Sequence, residues 1–133
     1  MSDVKKLIYQ RSEVPVRIDH SHLAVDQRVD DSKSGSEQLA FGLTVNYSAK
    51  ALRDNVPARF EDVFSYAAWD RAIDDLVSAP LRAPLEFLAD SLLWKARLMA
   101  DAATGLEVSA LRVTVYRRIG NDRTVEIVSD WSA

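Results

Sequence analysis

The chain has 133 residues, of which 47% are hydrophobic and 28% charged, with four Gly and four Pro. These values are typical of one globular domain, which we assign to residues 1–133, with residues 1–13 set apart as a candidate flexible segment. The chain contains no Cys, which excludes a disulfide framework, a thiolate metal site and a Cys nucleophile.

The formal net charge of −3 argues against nucleic acid as a partner, because a phosphate-backbone binder needs a positive patch of Lys and Arg. The longest uncharged apolar stretches fall far below the ~20 residues that span a bilayer, and the N-terminal segment lacks the apolar centre of a signal peptide. We therefore expect a cytoplasmic protein with no membrane partner. Two His residues, His20 and His22, are too few for a three-His zinc site, although carboxylates could complete one. We expect no metal and no cofactor.

Two strands are predicted in the first part of the chain. Residues 14–25 are rich in β-branched side chains with partial alternation, and residues 41–48 alternate cleanly between apolar and small or polar side chains. Such a period of two is expected when one face of a sheet packs on a core. A polar, small-residue patch at residues 30–36 separates the two segments. We predict that they pair antiparallel.

Two helices are predicted in the middle of the chain. Between residues 66 and 77 the apolar side chains fall three and four apart, and Ser65 precedes them as a candidate N-cap. A second helix is expected to begin at Pro84, where a missing N–H costs nothing, and to end before Gly105. The apolar side chains of this second helix form a wide stripe.

Two further strands are predicted at the end of the chain, at residues 111–116 and 124–130, with a turn at residues 120–123 between them. The order ββααββ favours an α+β fold in which a helix pair covers one face of an antiparallel sheet. Four strands in such a sheet leave open edges, which proteins often remove by oligomerising or by closing a barrel. We therefore expect a homo-oligomer.

The starts of the two helices carry a family resemblance. The sequence FSYAA occupies residues 64–68 and PLEFLAD occupies residues 84–90, so that Tyr66 and Glu86 stand twenty positions apart. This pattern resembles the dihydroneopterin aldolase and dihydroneopterin triphosphate epimerase family. The resemblance implies a tunnelling fold, in which the sheets of several subunits join into a barrel, here a tetramer or octamer. It also implies that a pterin or purine binds between neighbouring subunits, without a cofactor.

The resemblance implies a role for individual residues. Glu86 would accept hydrogen bonds from the ring N–H and the adjacent amino group of a pterin, and Leu85 and Tyr66 would also contact the substrate. Tyr66 would relay a proton beside the reacting carbon. Arg117 stands where the family has a catalytic Lys, and it can hold negative charge but cannot shuttle a proton. Lys33 stands at the position of the family's acidic residue, with Asp31 and Glu37 as nearby substitutes.

Three functions remain open at this point. The first is a metal-free retro-aldol cleavage of 7,8-dihydroneopterin, or the related epimerisation, in folate-type or other pterin cofactor biosynthesis. The second is an enzyme that acts on a modified pterin. The third is a non-catalytic pterin- or purine-binding or assembly subunit, which the residues at positions 33 and 117 favour because they depart from the family pattern.

Overall fold

A four-stranded antiparallel sheet forms the body of the protein. The computed structural model describes residues 4–19, 34–49, 52–53, 56–57, 60, 64–81, 84–119 and 122–133. The strands of the sheet follow the spatial order β1-β2-β5-β6. They are β1 (Lys5–Asp19), β2 (Ser34–Ala49), β5 (Leu106–Ile119) and β6 (Arg123–Ser132). A short hairpin, β3 (Leu52–Arg53) with β4 (Val56–Pro57), and two helices, α1 (Tyr66–Leu76) and α2 (Leu85–Ala102), lie between β2 and β5 in the chain. The long elements confirm the order ββααββ and the α+β class.

The core lies between one face of this sheet and the two helices. Cross-strand partners on the two central strands are Phe41 with Val115, Leu43 with Val113 and Val45 with Leu111, and all six side chains are buried. The helices contribute four large side chains to the same buried cluster: Trp69, Ile73, Leu88 and Leu92. The alternation predicted for residues 41–48 therefore faces the core, because cross-strand partners lie on the same side of a sheet.

Both helices begin and end close to their predicted bounds. The hydroxyl of Ser65 accepts a hydrogen bond of 3.1 Å from the backbone N–H of Ala68, which confirms Ser65 as an N-cap. Pro84 lies at the N-cap of α2, one position before the helix proper. Its φ of −65° suits a helix entry, although no side chain caps α2. No described helix is long and apolar enough to cross a membrane.

The edge strand β1 differs from its prediction. It begins at Lys5, so residues 5–11 of the candidate flexible segment 1–13 pair with β2. The expected end of this strand at residue 25 lies outside the described residues. A β-bulge lies between Arg11 and Val14, where Glu13 adopts a positive φ of 57°. The bulge inserts one residue and lets Arg11 and Val14 both lie on the core side of the sheet.

The opposite face of the sheet is more polar. It carries a concave cavity of about 550 Å³, whose lining includes Lys6, Thr44, Arg112 and Asp130. Gly42 is buried beside Thr114, its cross-strand partner on β5. A Cβ atom on Gly42 would lie 2.3 Å from the Thr114 hydroxyl oxygen, so a larger residue here would force this side chain or one of the strands to move.

Candidate functional site

Arg117 and Glu37 form a buried ion pair at one end of the sheet. Arg117 Nε lies 3.0 Å from Oε2 and 3.2 Å from Oε1 of Glu37, and Arg117 Nη2 donates to Oε1 at 2.9 Å. The side chains are only 7% and 3% exposed. Arg117 lies opposite Leu39, two positions after Glu37, which places both charges at the end of the core-facing row. The two charges thus compensate each other away from water.

This pairing defines what Arg117 can do. Arginine side chains in proteins act as fixed charges and not as acids or bases, so Arg117 cannot shuttle a proton. Glu37, one of the substitutes named for the family's acidic position, is the carboxylate that holds it. Lys33, the other residue predicted for that role, lies outside the described residues.

Glu86 lies in the first turn of α2. Its side chain is exposed, and no hydrogen bond or ion pair engages it within the described part of the chain. Unpaired backbone N–H groups and the helix dipole stabilise a carboxylate at this end of a helix. Leu85, the preceding residue, is half-buried and packs against the core. The Glu86 carboxylate is therefore exposed to solvent, at a helix end that Leu85 packs against the core.

Two contacts show which end of the sheet Glu86 occupies. The hydroxyl of Ser129 donates to Asp90 Oδ1 at 2.5 Å, and the Arg97 guanidinium lies 5.2 Å from the centre of the Trp131 ring. The chain direction of α2 thus follows β6 and runs opposite to β5, because β5 and β6 are antiparallel. The N-terminus of α2 and the C-terminal end of β5, which carries Arg117, lie at the same end of the molecule.

Tyr66 lies near the other end. Its ring stacks on that of Tyr9, with 5.1 Å between ring centres and 18° between ring planes. Tyr9 pairs with Leu43, whereas Glu37 lies six positions earlier on β2. Arg117 pairs with Leu39, so at ~3.3 Å per residue the stacked Tyr9 and Tyr66 rings lie roughly 13 Å from Arg117 and roughly 20 Å from Glu37 along the strands. A single chain therefore brings Glu86 and Arg117 to one end and separates both from Tyr66.

A polar network surrounds Tyr66. The Tyr9 hydroxyl donates to the Asp70 carboxylate, with Oδ1 and Oδ2 at 2.8 and 2.9 Å. Arg11 donates to the Asp70 backbone carbonyl at 3.2 Å and to Asp74 Oδ1 at 2.7 Å. Burial and the hydrogen bond to Asp70 raise the pKa of the Tyr9 phenol above its usual 10.0. The hydrogen bond to Asp74 raises the pKa of Arg11 in turn. Tyr9 therefore stays neutral as a donor at physiological pH.

Sequence reasoning missed the polar partners of the candidate residues. Neither the bond between Tyr9 and Asp70 nor the ion pair of Glu37 with Arg117 was predicted. The sequence signal for these contacts was weak. Leu7, Tyr9 and Arg11 lie at alternate positions, as in a strand with one buried face, but the charged residues around them obscure this pattern. Among the described residues, no group of three or more His, Asp or Glu side chains is arranged to hold a metal ion.

The comparisons with known proteins add a structural likeness. No family model and no curated protein matches this sequence. The structure resembles the crystal structure of a dihydroneopterin aldolase from Burkholderia thailandensis bound to guanine, with a TM-score of 0.61 and 16% sequence identity. The match covers 98% of this chain and 93% of that chain. With its antiparallel sheet and helix pair in the order ββααββ, the chain therefore has the tunnelling fold of dihydroneopterin aldolase.

Proposed function

We propose that this protein binds the ring of a pterin or purine through Glu86 and acts on the side chain of a dihydropterin. The observation that carries the proposal is the exposed Glu86 carboxylate, free of intramolecular partners among the described residues, at the end of the molecule that also holds Arg117. A pterin offers a ring N–H and an adjacent amino group in one plane, and one carboxylate accepts both hydrogen bonds. Guanine, the ligand of the structurally similar aldolase, presents the same pair of donors.

The proposed site includes a residue from a neighbouring copy. Within one chain Tyr66 lies toward the opposite end of the sheet from Glu86 and Arg117, so in the proposed site the Tyr66 of another chain serves the ligand on Glu86. Strands β1 and β6 are the edges of the sheet, with Tyr66 packed beside β1 and the start of α2 beside β6. In the proposed assembly, β1 of one copy pairs edge to edge with β6 of another, and a closed ring of such pairs gives a homo-oligomer, a tetramer or octamer.

The proposed reaction is a retro-aldol cleavage of 7,8-dihydroneopterin to the 6-hydroxymethyl dihydropterin and glycolaldehyde, or the related epimerisation. A base removes the side-chain hydroxyl proton, the carbon–carbon bond breaks, and the electron pair enters the ring imine. Tyr66 of the neighbour then returns a proton to the new carbanion carbon. Arg117, held by Glu37, cannot serve as the base, and we assign the base to the segment around Lys33, at residues 29–37.

A second function is favoured by the ion pair of Arg117 and Glu37. A guanidinium held at Nε and Nη2 inside the core cannot exchange protons with a substrate as a lysine can. The second candidate is therefore a pterin- or purine-binding or assembly subunit that retains the ring site and lacks cleavage.

One experiment separates the two functions. Purified protein is titrated calorimetrically with guanine and neopterin, and it is incubated with 7,8-dihydroneopterin while released glycolaldehyde is measured. Ring binding with catalytic glycolaldehyde release supports the enzyme, and binding without release supports the binding subunit. Failure to bind either ring contradicts both. Light scattering at micromolar concentration tests the assembly, since a monomer would contradict a site shared between chains.

A further inference from the structure

Tyr9 contacts two residues of α1 at once. Its ring stacks on Tyr66, and its hydroxyl donates to the carboxylate of Asp70. Tyr66 and Asp70 are four positions apart in the helix, so they lie on the same helical face, one turn from each other. Tyr9 therefore fastens the first turn of α1 to the edge strand β1 through both its ring and its hydroxyl.

The surroundings fix this arrangement from two further directions. Arg11, on the same side of β1 as Tyr9, donates to the backbone carbonyl of Asp70 and to the carboxylate of Asp74. The ring of Phe60 lies 5.9 Å from the Tyr66 ring, tilted by 38°. The Tyr66 ring is thus held by two aromatic neighbours, and Asp70 is held by Arg11 as well as by Tyr9.

If position 9 only had to pack against the core, a purely apolar side chain would be sufficient. Leu7, the preceding residue on this face of β1, packs against the core without any polar group. A tyrosine hydroxyl on a carboxylate adds a directional bond to that packing, because hydrogen bonds require a defined donor–acceptor geometry. The hydrogen bond to Asp70 therefore restricts the orientation of the Tyr9 ring. Because the Tyr66 ring stacks on the Tyr9 ring, its orientation is restricted as well.

We propose that Tyr9 is a positioning residue that sets the orientation of the Tyr66 ring and so aims its phenol at the ligand. This inference rests on the proposed function, in which Tyr66 of one copy serves the ligand on Glu86 of the next. A proton donor must lie within hydrogen-bond reach of the reacting atom, and a displacement of about 1 Å costs up to ~10²-fold in rate. Tyr9 acts through Tyr66 and does not contact the ligand.

The test compares three variants with the wild-type protein. Tyr9→Leu removes the ring, Tyr9→Phe keeps the ring and removes the hydroxyl, and Asp70→Asn keeps an acceptor for the hydroxyl. Tyr116→Phe is the matched control, since Tyr116 lies on the opposite face of the sheet. For each protein, kcat and KM are measured separately for cleavage of 7,8-dihydroneopterin. Guanine affinity and the urea midpoint are measured alongside.

We expect Tyr9→Leu to lower kcat by roughly 10²-fold and Tyr9→Phe by about 10-fold, with KM and guanine affinity within about twofold of wild type. Asp70→Asn and Tyr116→Phe should both keep kcat near the wild-type value. A parallel loss of kcat, guanine affinity and urea midpoint in Tyr9→Leu would mean that Tyr9 only stabilises the fold. An unchanged kcat in Tyr9→Leu would also overturn the proposal.

A second measurement is independent of any ligand. The flip rate of the Tyr66 ring is measured by NMR in protein with ¹³C-labelled tyrosine. We expect the flips to be slow in wild type and Tyr9→Phe, and at least about 10-fold faster in Tyr9→Leu, because the stack restricts the ring. Equal flip rates would overturn the positioning role. If wild type neither binds guanine nor releases glycolaldehyde, the proposed function fails, while the flip rates still decide whether Tyr9 orients Tyr66.

Discussion

Arg117 and Glu37 stand 80 positions apart in the sequence, yet their side chains meet in a fork of hydrogen bonds inside the protein. Removing one partner of such a pair leaves an uncompensated buried charge, which typically lowers the free energy of unfolding by about 3–5 kcal/mol. We expect Arg117→Met to lower the free energy of unfolding by this amount in urea titrations.

The protein supplies its own control for this prediction. Arg112 and Asp130 form a similar two-point pair at 2.6 and 3.1 Å, but their side chains are 56% and 55% exposed. Arg112→Met should therefore leave the urea midpoint close to that of the wild-type protein, because water screens an exposed ion pair. The double variant Glu37→Met with Arg117→Met should recover most of the loss. Equal costs for the two single Arg variants would show that burial does not govern the pair.

The second prediction concerns ligand binding by Glu86. Glu86→Gln replaces one acceptor oxygen by a donor and removes the charge, so two charge-assisted hydrogen bonds to the ring are lost or weakened. We expect guanine or neopterin binding to weaken by roughly 2 to 4 kcal/mol in calorimetric titrations. Asp101→Asn is the matched control, because Asp101 is an exposed carboxylate at the opposite end of α2. Equal effects of the two variants would place the ligand elsewhere.

The third prediction tests the close contact of Gly42 with Thr114. A methyl group on Gly42 would lie 2.3 Å from the Thr114 hydroxyl oxygen, which forces one strand or side chain to move. We expect Gly42→Ala to destabilise the protein by about 1–3 kcal/mol, as overpacking usually does. The double variant with Thr114→Ala removes the clashing oxygen and should be more stable than Gly42→Ala alone. Additive losses in thermal unfolding would contradict this contact.

The fourth prediction is a dependence of stability on alkaline pH. The pKa of Tyr9 is raised in the folded protein, mainly by burial and then by the bond to Asp70. A raised pKa means that folding favours the protonated phenol. Its stabilising contribution is therefore complete below pH 10.0 and is lost as the pH rises through the folded-state value. Tyr9→Phe should lose less stability than wild type between pH 9 and 11 in urea titrations. Parallel pH curves would show that Tyr9 does not titrate differently in the two states.

The periodic elements were predictable from the sequence because burial imposes the period directly. Leu43 belongs to a strand in which every second residue is apolar, and Ile73 belongs to a helix in which apolar residues recur every three or four positions. The N-cap at Ser65 could be read from residue type and position alone. The early start of β1 was missed because Lys5 and Lys6 are charged and because Ile8, an apolar residue, points to the exposed side.

The pairs that build the candidate site could not be predicted in the same way. The contact of Glu37 with Arg117 depends on the register of β2 against β5, and periodicity defines which face a side chain occupies but not its partner. The placement of Tyr66 away from Arg117 follows from the chain directions of α1 and α2, which the order of elements leaves open. The candidate site residues could be predicted from the sequence, but which of them lie close together could be determined only from the fold.

The bulge in β1 bears on how the protein avoids aggregation. An edge strand presents unpaired N–H and C=O groups, which can template the growth of fibrils. The extra residue between Arg11 and Val14, with Glu13 in a left-handed conformation, interrupts this row. An incoming strand can pair continuously with residues 5–11 or with residues 14–19, but not across the interruption. Glu13 thus limits uncontrolled sheet extension while a short stretch of the edge stays available to a partner strand.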